Sequence, residues 1–378
     1  MSLGLYIHIP FCAAICNYCN FNRGLFDAGL KERYVAALLM DITRAADGSP
    51  ADTMYFGGGT PSLLDPMDVR AIVEACTRSW ALSFDAEITL EANPETVTRE
   101  ALEGFRAAGV NRLSMGVQSF RDEELGRLSR LHSVAKAREA FACARAAGFD
   151  NISLDLMMWL PQQTVAQWLE SVDALIALDP DHASMYLLEL YPNAPLRDAM
   201  ARGQWSLAPD DDAAEMYQSG LDRMDRAGYV QYEISNVARP GRESRHNLKY
   251  WSDGEWLGFG CGAHSTRSGV RWKNVAATPE YISTVAAGGQ VAIERRVLSA
   301  EERLEDALFM GLRLTAGLDL AALETRHRID VWDGYGTDLR PFVETGLLIY
   351  DDRSLRMTRA GMLLAHEIMA VFIRSAVR

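Results

Sequence analysis

No uninterrupted apolar run in this 378-residue chain approaches the length of a membrane span, so an integral helical membrane protein is excluded. No secretory h-region precedes the first cysteine, because Cys12 comes too early for one. Positive charge is in deficit. The formal net charge is −13, and such a surface repels phosphate backbones, which argues against nucleic acid as a partner. Cysteine is scarce as well: six in this length are too few for a disulfide scaffold. There is no internal repeat and no low-complexity segment. What remains is 48% hydrophobic, enough for one large domain and a smaller one. A cytoplasmic protein is expected, with peripheral contact to a membrane left open.

Three of the few cysteines stand together. Cys12, Cys16 and Cys19 follow a C-x3-C-x2-C spacing, and no fourth cysteine follows them. Three thiolates on one loop can hold three irons of a [4Fe–4S] cluster, which normally takes four protein sulfurs. The fourth iron is then open to a different ligand. A zinc half-site is the competing reading, but no second cysteine pair completes four ligands. Cys76 and Cys143 fall inside helical patterns and read as core residues.

The first two-thirds of the chain alternate short apolar runs with helical periodicity. Strands are expected at Leu5–Ile9, Thr53–Phe56, Glu87–Leu90, Arg112–Met115, Ile152–Leu156 and Ala183–Leu188. Helices are expected at Leu30–Ala46, Pro66–Trp80, Arg99–Ala108, Val134–Ala147, Val165–Leu178 and Asp212–Ala227. Strand and helix at this spacing give repeated βα units, a parallel sheet and a partial (β/α)6 TIM-like barrel. From Ala300 onward amphipathic helices flank a short strand pair near Leu347–Met357. That predicts a smaller C-terminal α+β domain, helical and winged-helix-like, in a lid or interaction role. The expected boundaries are 1–235 for the barrel, 236–295 for a connecting segment and 296–378 for the C-terminal domain.

Polar or glycine-rich signals end strand after strand. Gly57-Gly58-Gly59-Thr60-Pro61 follows the second, Glu91-Ala92-Asn93-Pro94 the third and Gly116-Val117-Gln118 the fourth, while Asp155 ends the fifth. In β/α barrels the active site is built at that face. The glycines let backbone approach a ligand closely. Glu91 and Asp155 can accept from an ammonium or from hydroxyls, Gln118 can donate and accept, and Arg130 offers a fork for a carboxylate. Any one of these alone reads as a loop, a helix cap or a solvated charge. Four in register with a cysteine loop on the first strand are hard to reach by accident.

With these residues in view, the chain resembles the oxygen-independent coproporphyrinogen III oxidase-like branch of the radical S-adenosylmethionine (SAM) family over nearly its whole length. The resemblance implies a barrel of the radical SAM type, cluster ligation by Cys12, Cys16 and Cys19, and SAM on the open iron. It implies SAM contacts from Tyr6, Gly58, Gly59, Thr60, Glu91, Gln118, Arg130 and Asp155. Tyr18 occupies a place where an aromatic shields the site. Within that branch a true oxidase carries a further cysteine two places after the third, and here that position is Phe21. The chain is more similar to the heme-chaperone group, through Gln231-Tyr232-Glu233-Ile234-Ser235-Asn236, His246-Asn247-Leu248-Lys249-Tyr250-Trp251 and Gly258-Phe259-Gly260-Cys261-Gly262-Ala263-His264-Ser265. The expectation is a protein that binds heme and passes it to an acceptor protein, with a membrane respiratory protein as one kind of acceptor. The alternative is a radical oxidoreductase acting on a porphyrinogen or another substrate.

The resemblance makes His246, Asn247, Tyr250 and Trp251 the heme candidates. An imidazole can ligate iron, aromatic faces can flank a porphyrin, and Arg245 and Lys249 can meet propionates. From residue types alone the commoner reading is that His246 and Asn247 pin a loop by hydrogen bonds. His264 and Cys261 compete as ligands. The chain departs from the family at two places. Trp159 and Gln162 stand where glycines are usual, and Tyr191-Pro192-Asn193-Ala194 replaces E-P-G-T.

Overall fold

The structure is a computed structural model that describes residues 2–374. Six strands form its centre: β1 (Leu3–Ile9), β2 (Pro50–Gly58), β3 (Ala81–Ala92), β4 (Arg112–Gln118), β5 (Ile152–Met158) and β6 (His182–Leu187). Each pairs in parallel with the next in chain order. Helices return the chain on the outside: α1 (Ala28–Arg44), α2 (Pro66–Ser79), α3 (Arg99–Ala107), α4 (Asp122–Arg127), α5 (Val134–Ala146) and α6 (Val165–Leu178). The helices start where the sequence offers caps. Asp27 accepts from the amide of Leu30, and Thr164 forms a capping box with Gln167.

The strands alternate with period two. Leu5, Ile7 and Ile9 face the helices and are fully buried, while Tyr6 and His8 point into the barrel, where their side chains bond one another. The same alternation puts Glu87, Thr89 and Glu91, then Arg112, Ser114 and Gly116, then Ser153 and Asp155, then His182 and Ser184 on the inner face. The outer core is therefore aliphatic and the barrel interior polar.

The sheet does not close. Two further strands, β7 (Val230–Glu233) and β8 (Asn236–Ala238), extend it antiparallel beyond β6. On the other edge β9 (Trp256–Phe259) pairs in parallel with β1, and β10 (His264–Arg267), β11 (Val270–Asn274) and β12 (Ala292–Val297) follow antiparallel. The full order is 12-11-10-9-1-2-3-4-5-6-8-7. The strands at 256–274 were not expected from the glycine-dense sequence. Gly258 explains them: a Cβ there would stand 2.3 Å from the carbonyl oxygen of His264, so only glycine lets β10 fold back against β9.

Between β6 and β9 the chain makes α7 (Pro195–Gly203), α8 (Asp210–Arg226) and α9 (Arg245–Trp251). The C-terminal part packs helices around a three-stranded sheet in which Ser354–Met357 lies between Leu318–Asp319 and Leu348–Tyr350. It is joined to the barrel by polar clamps. Arg313 donates to Glu233 at 2.9 Å, and Arg359 pairs with Asp222 and Asp225.

Candidate functional site

The cysteine loop is held at both its ends. Phe11 and Cys12 pair with Gly24 and Leu25, and the Gly24 amide donates to the Pro10 carbonyl at 2.7 Å. The intervening residues arch over the C-terminal ends of β1 to β6. Cys12, Cys16 and Cys19 face one cavity of about 370 Å3, and all six cysteines are free. Among the described residues no three acidic, histidine or cysteine side chains converge on a single metal-ion-sized point. Tyr18 packs beneath the loop against Leu128, Met157, Leu160, Leu188 and Leu196.

The same wall contains Gly58, Gly59, Thr60, Glu91, Gln118, Arg130 and Asp155. Tyr6 lies behind it, stacked on Tyr55. The glycines serve the protein itself. A Cβ on Gly59 would stand 2.6 Å from the Phe11 carbonyl oxygen, and one on Gly58, whose φ is +114°, would strike the His8 ring at 2.5 Å. The Gly59 and Thr60 amides donate to the carbonyls of Ile9 and Phe11 at 2.8 and 2.7 Å. Glycine is needed because the cysteine-loop backbone crosses β2 at van der Waals distance.

Glu91 accepts from the Tyr55 hydroxyl at 2.8 Å and the Gly58 amide at 3.1 Å. Burial raises its carboxyl to about 7, and the nearby Asp155 adds to the rise against those hydrogen bonds. Asp155 is also raised by burial, and it accepts from the hydroxyls of Ser114 and Ser153. Arg130 donates through Nη2 to Asn93 Oδ1 and to the Gly116 carbonyl, both at 2.8 Å, and through Nη1 to Cys16 Sγ at 3.5 Å. Its fork thus ties the third and fourth strands to the cysteine loop. Gln118 sits at φ +69°. The cavity wall also includes Asn93 of the strand-end signal after β3, and Arg23, Arg112, Ser114, His182 and Ser184, which no strand-end signal contains. Stepping back in twos along β4 from Gln118 reaches Ser114 and Arg112.

The heme-type motif lies at the opposite end of the barrel. Ser244 caps α9, and the helix plugs the floor beneath the N-terminal ends of the strands. His246 is fully buried. Its Nδ1 bonds the Thr53 hydroxyl at 2.8 Å, its Nε2 bonds the Tyr250 hydroxyl at 2.9 Å, and its amide donates to Glu87 at 3.0 Å. Burial, with Lys249 nearby, pushes the ring down to about 3, so it is neutral. Lys249 pairs with Asp52 at 2.6 Å, and Arg245 donates to the Asp85 carbonyl at 2.7 Å. Trp251 lies under the guanidinium of Arg313. Of the four heme candidates only Asn247 reaches the cavity. Cys261 is buried beside Asn22 and Thr278, while His264 is an exposed residue of β10.

Trp159 and Gln162 adopt left-handed φ of +62° and +61°, the conformation a glycine would favour. Both hold the segment over the barrel mouth. Trp159 Nε1 donates to the Ala208 carbonyl at 2.8 Å, and the Gln162 amide donates to the Ser206 carbonyl at 2.9 Å.

A thiol-bearing loop over the mouth of a partial β/α barrel is the arrangement of the radical SAM superfamily, whose family model matches residues 6–175. The HemN C-terminal domain model matches residues 298–364. The chain belongs, within that superfamily, to the heme chaperone HemW family. It is 37% identical to the heme chaperone HemW of Bacillus subtilis over 97% of this chain and 98% of that one. It is likewise 37% identical to the mitochondrial radical S-adenosyl methionine domain-containing protein 1 of Bos taurus, covering 97% of this chain and 86% of that one. Its fold matches that of coproporphyrinogen III oxidase (HemN) from Escherichia coli with a TM-score of 0.86 at 24% identity, over 98% of this chain and 90% of that one. No helix among the described residues is long and apolar enough to cross a membrane.

Proposed function

We propose that this protein is a heme chaperone that binds heme and passes it to an acceptor protein, and that it carries a [4Fe–4S] cluster and SAM. The similarity to heme chaperone HemW over nearly the full length carries this reading. Phe21 supports it, because it stands exposed at the cavity rim where the oxidase-type pattern places a further cysteine. Cys12, Cys16 and Cys19 would hold the cluster. Glu91, Gln118, Asp155 and the backbone at Gly58–Thr60 would hold SAM, while Arg130 would fix the loop. Bound there, the cluster and SAM would supply one-electron chemistry. Glu91, with its carboxyl near neutrality, is suited to meet an ammonium group and give up its proton on doing so.

We place the protein in the cytoplasm, with the acceptor at a membrane, and divide it into 1–235, 236–295 and 296–378. For heme itself the geometry favours the cavity side. Ligation by His246 would require breaking one of its two ring hydrogen bonds and opening the barrel floor, whereas Asn247 already borders the cavity. The test is anaerobic titration of the reconstituted full chain with hemin. A shifted Soret band with stoichiometric saturation supports the reading, and an unperturbed hemin spectrum removes it. The intact polar wall keeps a second reading, a radical oxidoreductase acting on a porphyrinogen. That reading requires 5′-deoxyadenosine release coupled to porphyrinogen loss.

A further inference from the structure

Arg112 opens β4 and is 1% exposed in the barrel interior. A buried guanidinium is costly unless its donors are met. Other buried cations of the molecule meet this need. Lys31 pairs with Asp65 and Asp68, and Arg130 holds Asn93, Gly116 and Cys16. Arg112 does not. Among the described residues no carboxylate oxygen comes within 4.0 Å of it, and its Nε and Nη1 have no hydrogen-bond partner. Its register neighbour on β3, Thr89, is fully buried and also has an unpartnered hydroxyl.

The nearby acids are turned elsewhere. Glu91 is engaged by Tyr55 and Gly58, and Asp155 by Ser114 and Ser153. Arg112 lines the same cavity as the cysteine thiols, with Tyr55, His182, Ser184 and Asn247 also in its wall. Its guanidinium therefore borders this cavity with donors that no protein group meets.

We propose that Arg112 is the point where a ligand carboxylate is recognised on the cavity floor. A planar guanidinium offers two parallel donors that match a carboxylate, which an ammonium cannot do. Glu91 and Asp155 line the same cavity, and any negative charge they carry disfavours a bare anion beside them. The carboxylate must therefore arrive on an arm that carries other contacts. Two sources share this chemistry: a tetrapyrrole propionate and the aminoacyl carboxylate of SAM. The first rests on the heme reading above, and the second does not.

The test uses the reconstituted full chain and its Arg112→Gln and Arg112→Lys variants, with hemin, hemin dimethyl ester and SAM as probes. If a propionate is the ligand, wild type binds hemin at least tenfold more tightly than the dimethyl ester. Arg112→Gln then brings hemin to the level of the ester and leaves SAM affinity within twofold. If SAM is the source, the variant weakens SAM at least tenfold and leaves hemin unchanged. In either case Arg112→Lys shows a smaller loss. Hemin and SAM affinities both within twofold of wild type in Arg112→Gln overturn the proposal. Should neither variant fold, structures of the wild-type chain with SAM and with hemin decide it, and no carboxylate against Arg112 in either overturns it. Hemin that does not bind wild type at all removes the heme reading, and the SAM measurement then decides alone.

Discussion

The two ends of the barrel are built from the same residue types and do opposite things with them. On the floor, His246, Thr53, Tyr250 and Glu87 satisfy one another, and Lys249 pairs with Asp52. Above it, thiols, carboxylates and the Arg112 guanidinium line one cavity, and two Arg112 donors lack protein partners. A closed polar network rigidifies a fold. An open one stores unmet bonding capacity for a ligand. The motif singled out for heme belongs mainly to the closed end, and the cysteine motif to the open one.

The sharpest way to separate the ends is to remove one side chain from each. Cys16→Ala should bring iron and sulfide after anaerobic reconstitution to background. The urea midpoint of the apo-protein should fall only modestly, by about 1 kcal/mol, because the buried Arg130 Nη1 loses its sulfur partner. His246→Ala should do the reverse. It leaves a cavity and two orphaned hydroxyls, a loss of about 3 kcal/mol in denaturant unfolding with iron content retained. A variant that keeps its stability but loses the Soret shift would instead make His246 a heme ligand.

The ends should also respond oppositely to pH. The buried neutral His246 has its pKa lowered in the folded state to about 3, from 6.5. Its contribution is complete above pH 6.5 and is lost as pH falls toward 3. Glu91 has its carboxyl raised from 4.5 to about 7. Its contribution is present below 4.5 and is lost as pH rises through 7. Glu91→Gln should therefore stabilise the apo-protein at pH 8 by about 1–3 kcal/mol relative to wild type and abolish that rise-dependent loss. The same variant should bind SAM more weakly. A Glu91→Gln chain that is less stable at pH 8 would place Glu91 in the closed network instead.

Much of the open end was legible in the sequence, because its signals are local. A C-x3-C-x2-C loop and strand-end Glu91, Gln118 and Asp155 declare themselves within a few residues, and the parallel order of β1 to β6 follows from strand and helix spacing. The closed end was not legible. His246 meets Thr53 at a sequence separation of 193, and nothing in α9 reveals which end of a barrel it will plug. Arg112 was hidden for a different reason. It begins its strand rather than ending it, and only the open geometry below Glu91 shows that its donors lack partners. The strands after β8 were masked by the glycines that permit them.

The smallest effect tests the strap over the open end. Trp159 and Gln162 each accept a left-handed backbone, which costs a non-glycine residue about 1 kcal/mol. Each side chain gives part of that back. Trp159 bonds Ala208, and the Gln162 side chain reaches the Ser206 hydroxyl at 3.2 Å. Trp159→Gly and Gln162→Gly relieve the strain and lose the bond, so global stability should change by less than about 1 kcal/mol. What should change is local. Hydrogen exchange of amides in 204–208 should quicken in Trp159→Gly while α6 stays protected, because the Ala208 tether is gone but the core under α6 is intact. Unchanged exchange would mean that the segment is held by the Leu160 and Leu196 contacts alone. The two tryptophan and glutamine substitutions at glycine positions would then carry backbone strain without fastening anything over the open end.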